Sequence, residues 1–90
     1  MKVLFTNTFE RAAKKLPRKH ISQVEDAIDD ITKKPLAGEA KKGDLSGVYV
    51  YKFRINKQLS LIAYTYDEPN KTITLLSLGS HENFYRDLKK

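Results

Sequence analysis

Between Pro17 and Pro35 the apolar residues Ile21, Val24, Ile28 and Ile31 are spaced 3, 4 and 3, and the acids Glu25, Asp26, Asp29 and Asp30 fall between them. That period is a helix with one apolar stripe and an acidic opposite side. A helix is therefore expected from about residue 18 to 33. Lys33 and Lys34 suit the negative end of its dipole, and Pro35 stops it. Upstream, Phe9, Ala12, Ala13 and Leu16 recur at i, i+3, i+4 and i+7. They mark a second helix that ends near Pro17. Thr8 is the expected cap, its hydroxyl accepting from a free backbone N–H. Two amphipathic helices meeting at a proline form a helical hairpin.

After residue 47 the period changes. Residues 48–55, 59–66 and 72–78 are rich in β-branched and aromatic side chains and read as strands. The segments between them, 56–57 and 67–71, are turns. Connections this short join antiparallel neighbours, so the runs form a meander. Residues 2–6 read as a further short strand, 35–47 as a loop, and 82–89 as a short helix capped by Ser80. The expected architecture is α+β: an N-terminal strand and a helical hairpin packed on an antiparallel sheet of about four strands, then a short C-terminal helix.

Residues 1–90 are expected to form one domain. A chain this short buries only about 60–65% of its unfolded surface, so its stability should be marginal without a partner. It has no cysteine, which excludes a disulfide framework and a thiolate metal site. No signal-peptide run and no stretch of roughly 20 apolar residues is visible, so a cytoplasmic protein that does not enter a membrane is expected. The net charge of +6 is unevenly placed. Residues 1–20 carry six bases against one acid, residues 21–31 four acids and no base, and residues 32–90 eleven bases against six acids. A polyanion would be steered away from the acidic helix and towards the rest.

Two groups of residues stand out. On the strand 48–55, Tyr49, Tyr51, Phe53 and Ile55 share one face, and Val48, Val50, Lys52 and Arg54 the other. Lys52 and Arg54 thus project together, either as an ordinary solvated pair or as a phosphate clamp. The second group is Gly79-Ser80-His81-Glu82-Asn83-Phe84-Tyr85, directly after the last strand. His81 carries an imidazole of the type that titrates near neutral pH. Ser80 and Glu82 read as helix-starting residues, and the ring of Tyr85 as core packing or a base-stacking surface. His20 lacks an evident partner and reads as a surface residue. There is no metal-ligand spacing, phosphate-binding glycine loop or nucleophile elbow.

The runs Val50-Tyr51-Lys52-Phe53-Arg54-Ile55 and Leu61-Ile62-Ala63-Tyr64, with the closing Gly79-Ser80-His81-Glu82-Asn83-Phe84-Tyr85-Arg86-Asp87-Leu88, resemble the carboxy-terminal half of RelE/ParE superfamily toxins. The Gly-Ser-His ending is similar to that of YafQ-type members. The resemblance implies the toxin of a bacterial type II toxin–antitoxin system, with a cognate antitoxin as partner and no cofactor. RelE-type members cut messenger RNA on the ribosome without a metal. On that likeness Lys52 and Arg54 match paired basic positions, His81 the acid–base position after the last strand, and Tyr85 the aromatic that follows it. Lys57 and Arg86 are the further cations expected to hold RNA. Two departures are visible. RelE has another arginine where this chain has Ser60-Leu61-Ile62, and of the additional His and Asp groups of YafQ-type sites only Asp67 has a counterpart. The alternative within the superfamily is a ParE-like inhibitor of DNA gyrase that cuts no RNA.

Overall fold

Asn56 and Lys57 both have positive φ, 50° and 74°, which is the geometry of a tight hairpin turn whose twist matches the flanking strands. That turn sets the register of the two strands it joins, with Ile55 opposite Gln58 and Lys52 opposite Leu61. The computed structural model describes residues 1–43 and 46–80. Its elements are β1 (Lys2–Phe5), α1 (Asn7–Lys14), α2 (Arg18–Lys33), β2 (Glu39–Ala40), β3 (Tyr49–Ile55), β4 (Gln58–Asp67) and β5 (Thr72–Ser80). The strands form one sheet in the order β1-β5-β4-β3-β2. The α+β architecture with a helical hairpin on the sheet is as expected. The helix expected over 82–89 lies outside the described residues.

Three local expectations need correction. The sheet has five strands, because the supposed loop 35–47 contributes Glu39 and Ala40 opposite Val50 and Tyr49. It is also not wholly antiparallel, since β1 runs parallel to β5. The helical hairpin carries the chain from one sheet edge to the other, and the three-strand meander then returns it to β1 in the same direction. Finally, the cap of α1 is Thr6, not Thr8. Its Oγ1 accepts from the N–H of Phe9 at 3.2 Å and donates to the carbonyl of Leu76 at 2.7 Å. Leu76 sits at a bulge, where the β4–β5 pairing shifts between Ala63 and Tyr64. A bulge disrupts the ladder locally, and Thr6 therefore joins the helix start to the irregular point of the sheet.

The helices cover one face of the sheet. Phe9 of α1 and Val24, Ala27 and Ile31 of α2 pack with Ile55, Ile62, Tyr64, Ile73, Leu75 and Leu78 in one core. On the opposite face a smaller cluster forms from Val50, Leu61 and Ala63, with Val48 and Leu76 beside it. Tyr64 is fully buried, and its hydroxyl is satisfied at both ends: it donates to Pro35 O at 2.8 Å and accepts from Gly38 N at 2.9 Å. A side chain at residue 38 would put a carbon 2.6 Å from that oxygen, so glycine is required there. No described helix is long and apolar enough to cross a membrane.

Tyr64→Phe should lower stability in urea by about 1–3 kcal/mol, because the Gly38 N–H and the Pro35 carbonyl lose their partner. The Tyr64 hydroxyl is pushed above its ordinary pKa of 10.0, first by burial and further by Tyr49, with the Gly38 N–H opposing. A raised folded pKa means the contribution is complete below pH 10.0 and is lost as pH rises through the folded value. Alkaline unfolding should therefore be shallower in Tyr64→Phe than in the native chain.

Candidate nucleic-acid interface

Alternation along β3 sends Tyr49, Tyr51, Phe53 and Ile55 to the helix-covered face, where all four join the main core. Lys52 and Arg54 consequently emerge together on the other face, both exposed. Their cross-strand neighbours are Leu61 and Leu59, so no cation from β4 stands beside them. Leu61 is 0% exposed, as part of the smaller cluster.

Arg54 is partly anchored: Nη1 donates to the carbonyl of Lys57 at 3.0 Å, which holds the guanidinium over the hairpin turn. An arginine has five N–H donors, so others stay available. Lys57 itself is exposed at the turn. Lys52 Nζ lies 3.9 Å from Glu39 Oε2, and Lys41 Nζ lies 3.4 Å from the same oxygen. An exposed pair of this length is weak and easily exchanged for another anion. Of the α2 acids, Asp26 and Asp30 line a shallow pocket together with Phe53 and Arg54. Asp30 accepts from the Tyr51 hydroxyl at 3.0 Å. Burial, and then the bond and charge of Asp30, raise the Tyr51 pKa.

The register also locates the end of β5. Lys52, Leu61 and Gly79 form one row across three strands, and Phe53, Ser60 and Ser80 the next. Gly79 is thus two strand spacings, about 10 Å, from Lys52. His81, Tyr85 and Arg86 lie outside the described residues. Asp67 is not brought to the site. It lies six residues beyond Leu61 on β4, about 20 Å along the strand, and accepts from Asn70 Nδ2 at 2.8 Å as a turn residue. Among the described residues no three acidic, histidine or cysteine side chains converge to hold a metal.

His20, expected at the surface, is half-buried, and its buried Nε2 has no hydrogen-bond partner among the described residues. It lines a cavity of about 530 Å³ together with Arg11 and Lys15 of α1 and the ends of β3, β4 and β5. The only signal in the sequence was the i, i+4 spacing of Arg11 and Lys15. The contributing segments are too far apart in the chain for any local pattern to join them.

Two helices packed on one face of a mostly antiparallel five-stranded sheet are the fold of a RelE/ParE-type toxin. The family model described as "ParE-like toxin of type II bacterial toxin-antitoxin system" matches residues 3–89, and the chain belongs to that family. Among solved structures it is similar to the toxin–antitoxin complex RelBE2 from Mycobacterium tuberculosis, with 26% identity, a TM-score of 0.76, and 89% of this chain and 96% of that chain covered. The intact E. coli RelBE complex matches with 15% identity, a TM-score of 0.72, and 88% and 94% covered. The YoeB/ParE toxin from Agrobacterium tumefaciens matches with 19% identity, a TM-score of 0.72, and 90% and 99% covered. A search of curated proteins found no match.

Because Lys52 and Arg54 are exposed and only weakly partnered, Lys52→Ala and Arg54→Ala should each change stability by less than about 1 kcal/mol. Urea denaturation of both variants checks this, and coincident midpoints would make any loss of toxicity a loss of function rather than of fold.

Proposed function

We propose that this toxin is a metal-independent, ribosome-dependent endoribonuclease that cuts messenger RNA and is neutralised by a cognate antitoxin. The observation that carries the reading is the exposed pair Lys52 and Arg54 on one face of β3, in line with the end of β5. The 2′-hydroxyl of the RNA attacks the adjacent phosphate, and the 5′-oxygen leaves. Lys52 and Arg54 stabilise the charge that gathers on the phosphate. His81 follows Ser80 in the chain and serves as the acid or base. Tyr85 orients a base by stacking, and Lys57 and Arg86 hold the strand. The second proton-transfer role falls to the ribosome or to Lys52. The mycobacterial and E. coli relatives are toxin–antitoxin complexes, which supports an antitoxin partner here. Action on ribosomes places the protein in the cytoplasm.

One observation favours a second reading, a gyrase inhibitor without RNase activity. Leu61, beside Lys52, is buried, so β4 adds no cation to the pair Lys52 and Arg54. An interaction-only toxin needs no complete phosphate clamp, and one fold supports both activities.

Translation of a defined message on purified ribosomes tests the proposal. The native chain should cut the message, and Lys52→Ala or Arg54→Ala should each slow cleavage by about 10²–10³, the usual effect of removing one transition-state donor. Unchanged cleavage by His81→Ala would remove His81 from the mechanism. Inhibition of gyrase supercoiling with the message left intact would overturn the nuclease reading in favour of the second.

A further inference from the structure

We propose that the cavity between α1 and the β3–β4 hairpin is a binding site for a nucleoside phosphate. The cavity lies on the helix-covered side of the sheet, so it is separate from the face that carries Lys52 and Arg54. Its volume, about 530 Å³, is in the range of pockets that hold small organic ligands.

Three sets of lining residues define the ligand. The first is apolar: Ala12, Leu16, Ile55 and Leu78 offer a patch of the extent of one flat ring system. The second is cationic. Arg11 and Lys15 stand one helical turn apart on the same side of α1. The neighbouring acid, Glu10, pairs with Lys14 instead. No acid is among the described residues that line the cavity. An apolar floor under two like charges calls for an anionic group attached to an apolar body. The third set is neutral and polar. Asn56 and Gln58 carry amides, which both donate and accept, and Ser60 and Ser80 carry hydroxyls. Amides complement the edge of a nucleobase, and hydroxyls complement a ribose.

A buried polar atom in the wall points the same way. Among the described residues, His20 Nε2 has no hydrogen-bond partner. Buried polar groups are normally satisfied, and an unmade bond lowers stability. A ligand oxygen in this cavity is a partner for it. An acidic helical peptide fits less well, because such a segment needs a groove with anchors over several turns, and the apolar floor here spans four residues.

The phosphate can belong to a free nucleotide or to the end of an RNA strand, and the test separates these sources. The isotope-labelled full chain is titrated with adenosine monophosphate, a 5′-phosphorylated trinucleotide, inorganic phosphate and an acidic peptide, and backbone amide shifts are followed. Saturable shifts at Leu16, Ile55, Ser77 and Ser80 are expected with adenosine monophosphate. The double variant Arg11→Glu/Lys15→Glu changes only exposed positions and should bind at least about tenfold more weakly. Tighter binding of the trinucleotide assigns the site to an RNA strand, and tighter binding of the monophosphate to a free nucleotide. Absence of saturable shifts, shifts confined to the Lys52–Arg54 face, unchanged affinity in the double variant, or a response to the acidic peptide alone would each overturn the proposal. The readout is binding in the cavity and not RNA cleavage, so this inference and the nuclease reading fail separately.

Discussion

The hydroxyl of Tyr64 is the point on which the arrangement of this sheet turns. The ring is fully buried in the central strand and stacks on Tyr49 of the adjacent strand, with centroids 5.5 Å apart. A phenol at that depth requires partners for its oxygen, and the segment after α2 supplies both. By bonding both Pro35 and Gly38, Tyr64 fixes where the chain leaves the helix. Glu39 and Ala40 follow directly and are thereby delivered to the edge of β3. The short fifth strand owes its place to a side chain two strands away rather than to its own propensity. It in turn brings the carboxylate of Glu39 to Lys52.

Thr6 does the corresponding work at the other edge. It closes β1, caps α1 and satisfies the carbonyl at the bulge in β5. Between Thr6 and Tyr64 both ends of the helical hairpin are tied to the sheet. The helices are therefore held on one face, and the alternation of β3 is resolved into an aromatic row beneath them and a basic pair opposite. The acids are not wholly apart from the pair Lys52 and Arg54: Asp26 and Asp30 of α2 line a shallow pocket with Arg54, and Glu39 lies beside Lys52. A polyanion that reaches the pair competes with these carboxylates.

Features with a period were legible in the sequence. The stripe of α2 and the alternation of β3 each report a single face, and Val24, Ile28 and Ile31 of the one and all four aromatic-row residues of the other pack in the main core, while Ile21 at the helix start is not part of it. Features that depend on contact between distant segments were not. Thr8 and Thr6 are equally plausible caps by composition; what selects Thr6 is the carbonyl of Leu76, seventy residues away. The bulge has no glycine to announce it, and β2 has neither β-branched nor aromatic residues. Ala27 faces the core between the larger members of the stripe, where its size gave no signal. Of the candidate site, Lys52 and Arg54 were recoverable because they are neighbours on one strand. The cavity that contains His20 was not, because α1, α2 and three strand ends must meet before it exists.

The same packing limits how charge is arranged around Lys52. Its cross-strand neighbour Leu61 is sealed in a cluster with Val50 and Ala63. A cation at that position would have to leave the cluster, with loss of buried apolar surface, or remain there unpaired, which costs more. The central strand is thus committed to holding the second face together and is closed to chemistry. Among the described residues, further positive charge near Lys52 comes from the sheet margins: Lys41, just after β2, shares Glu39 Oε2 with it, and Lys57 stands at the hairpin tip. The basic face is consequently built from the margins of the sheet inwards.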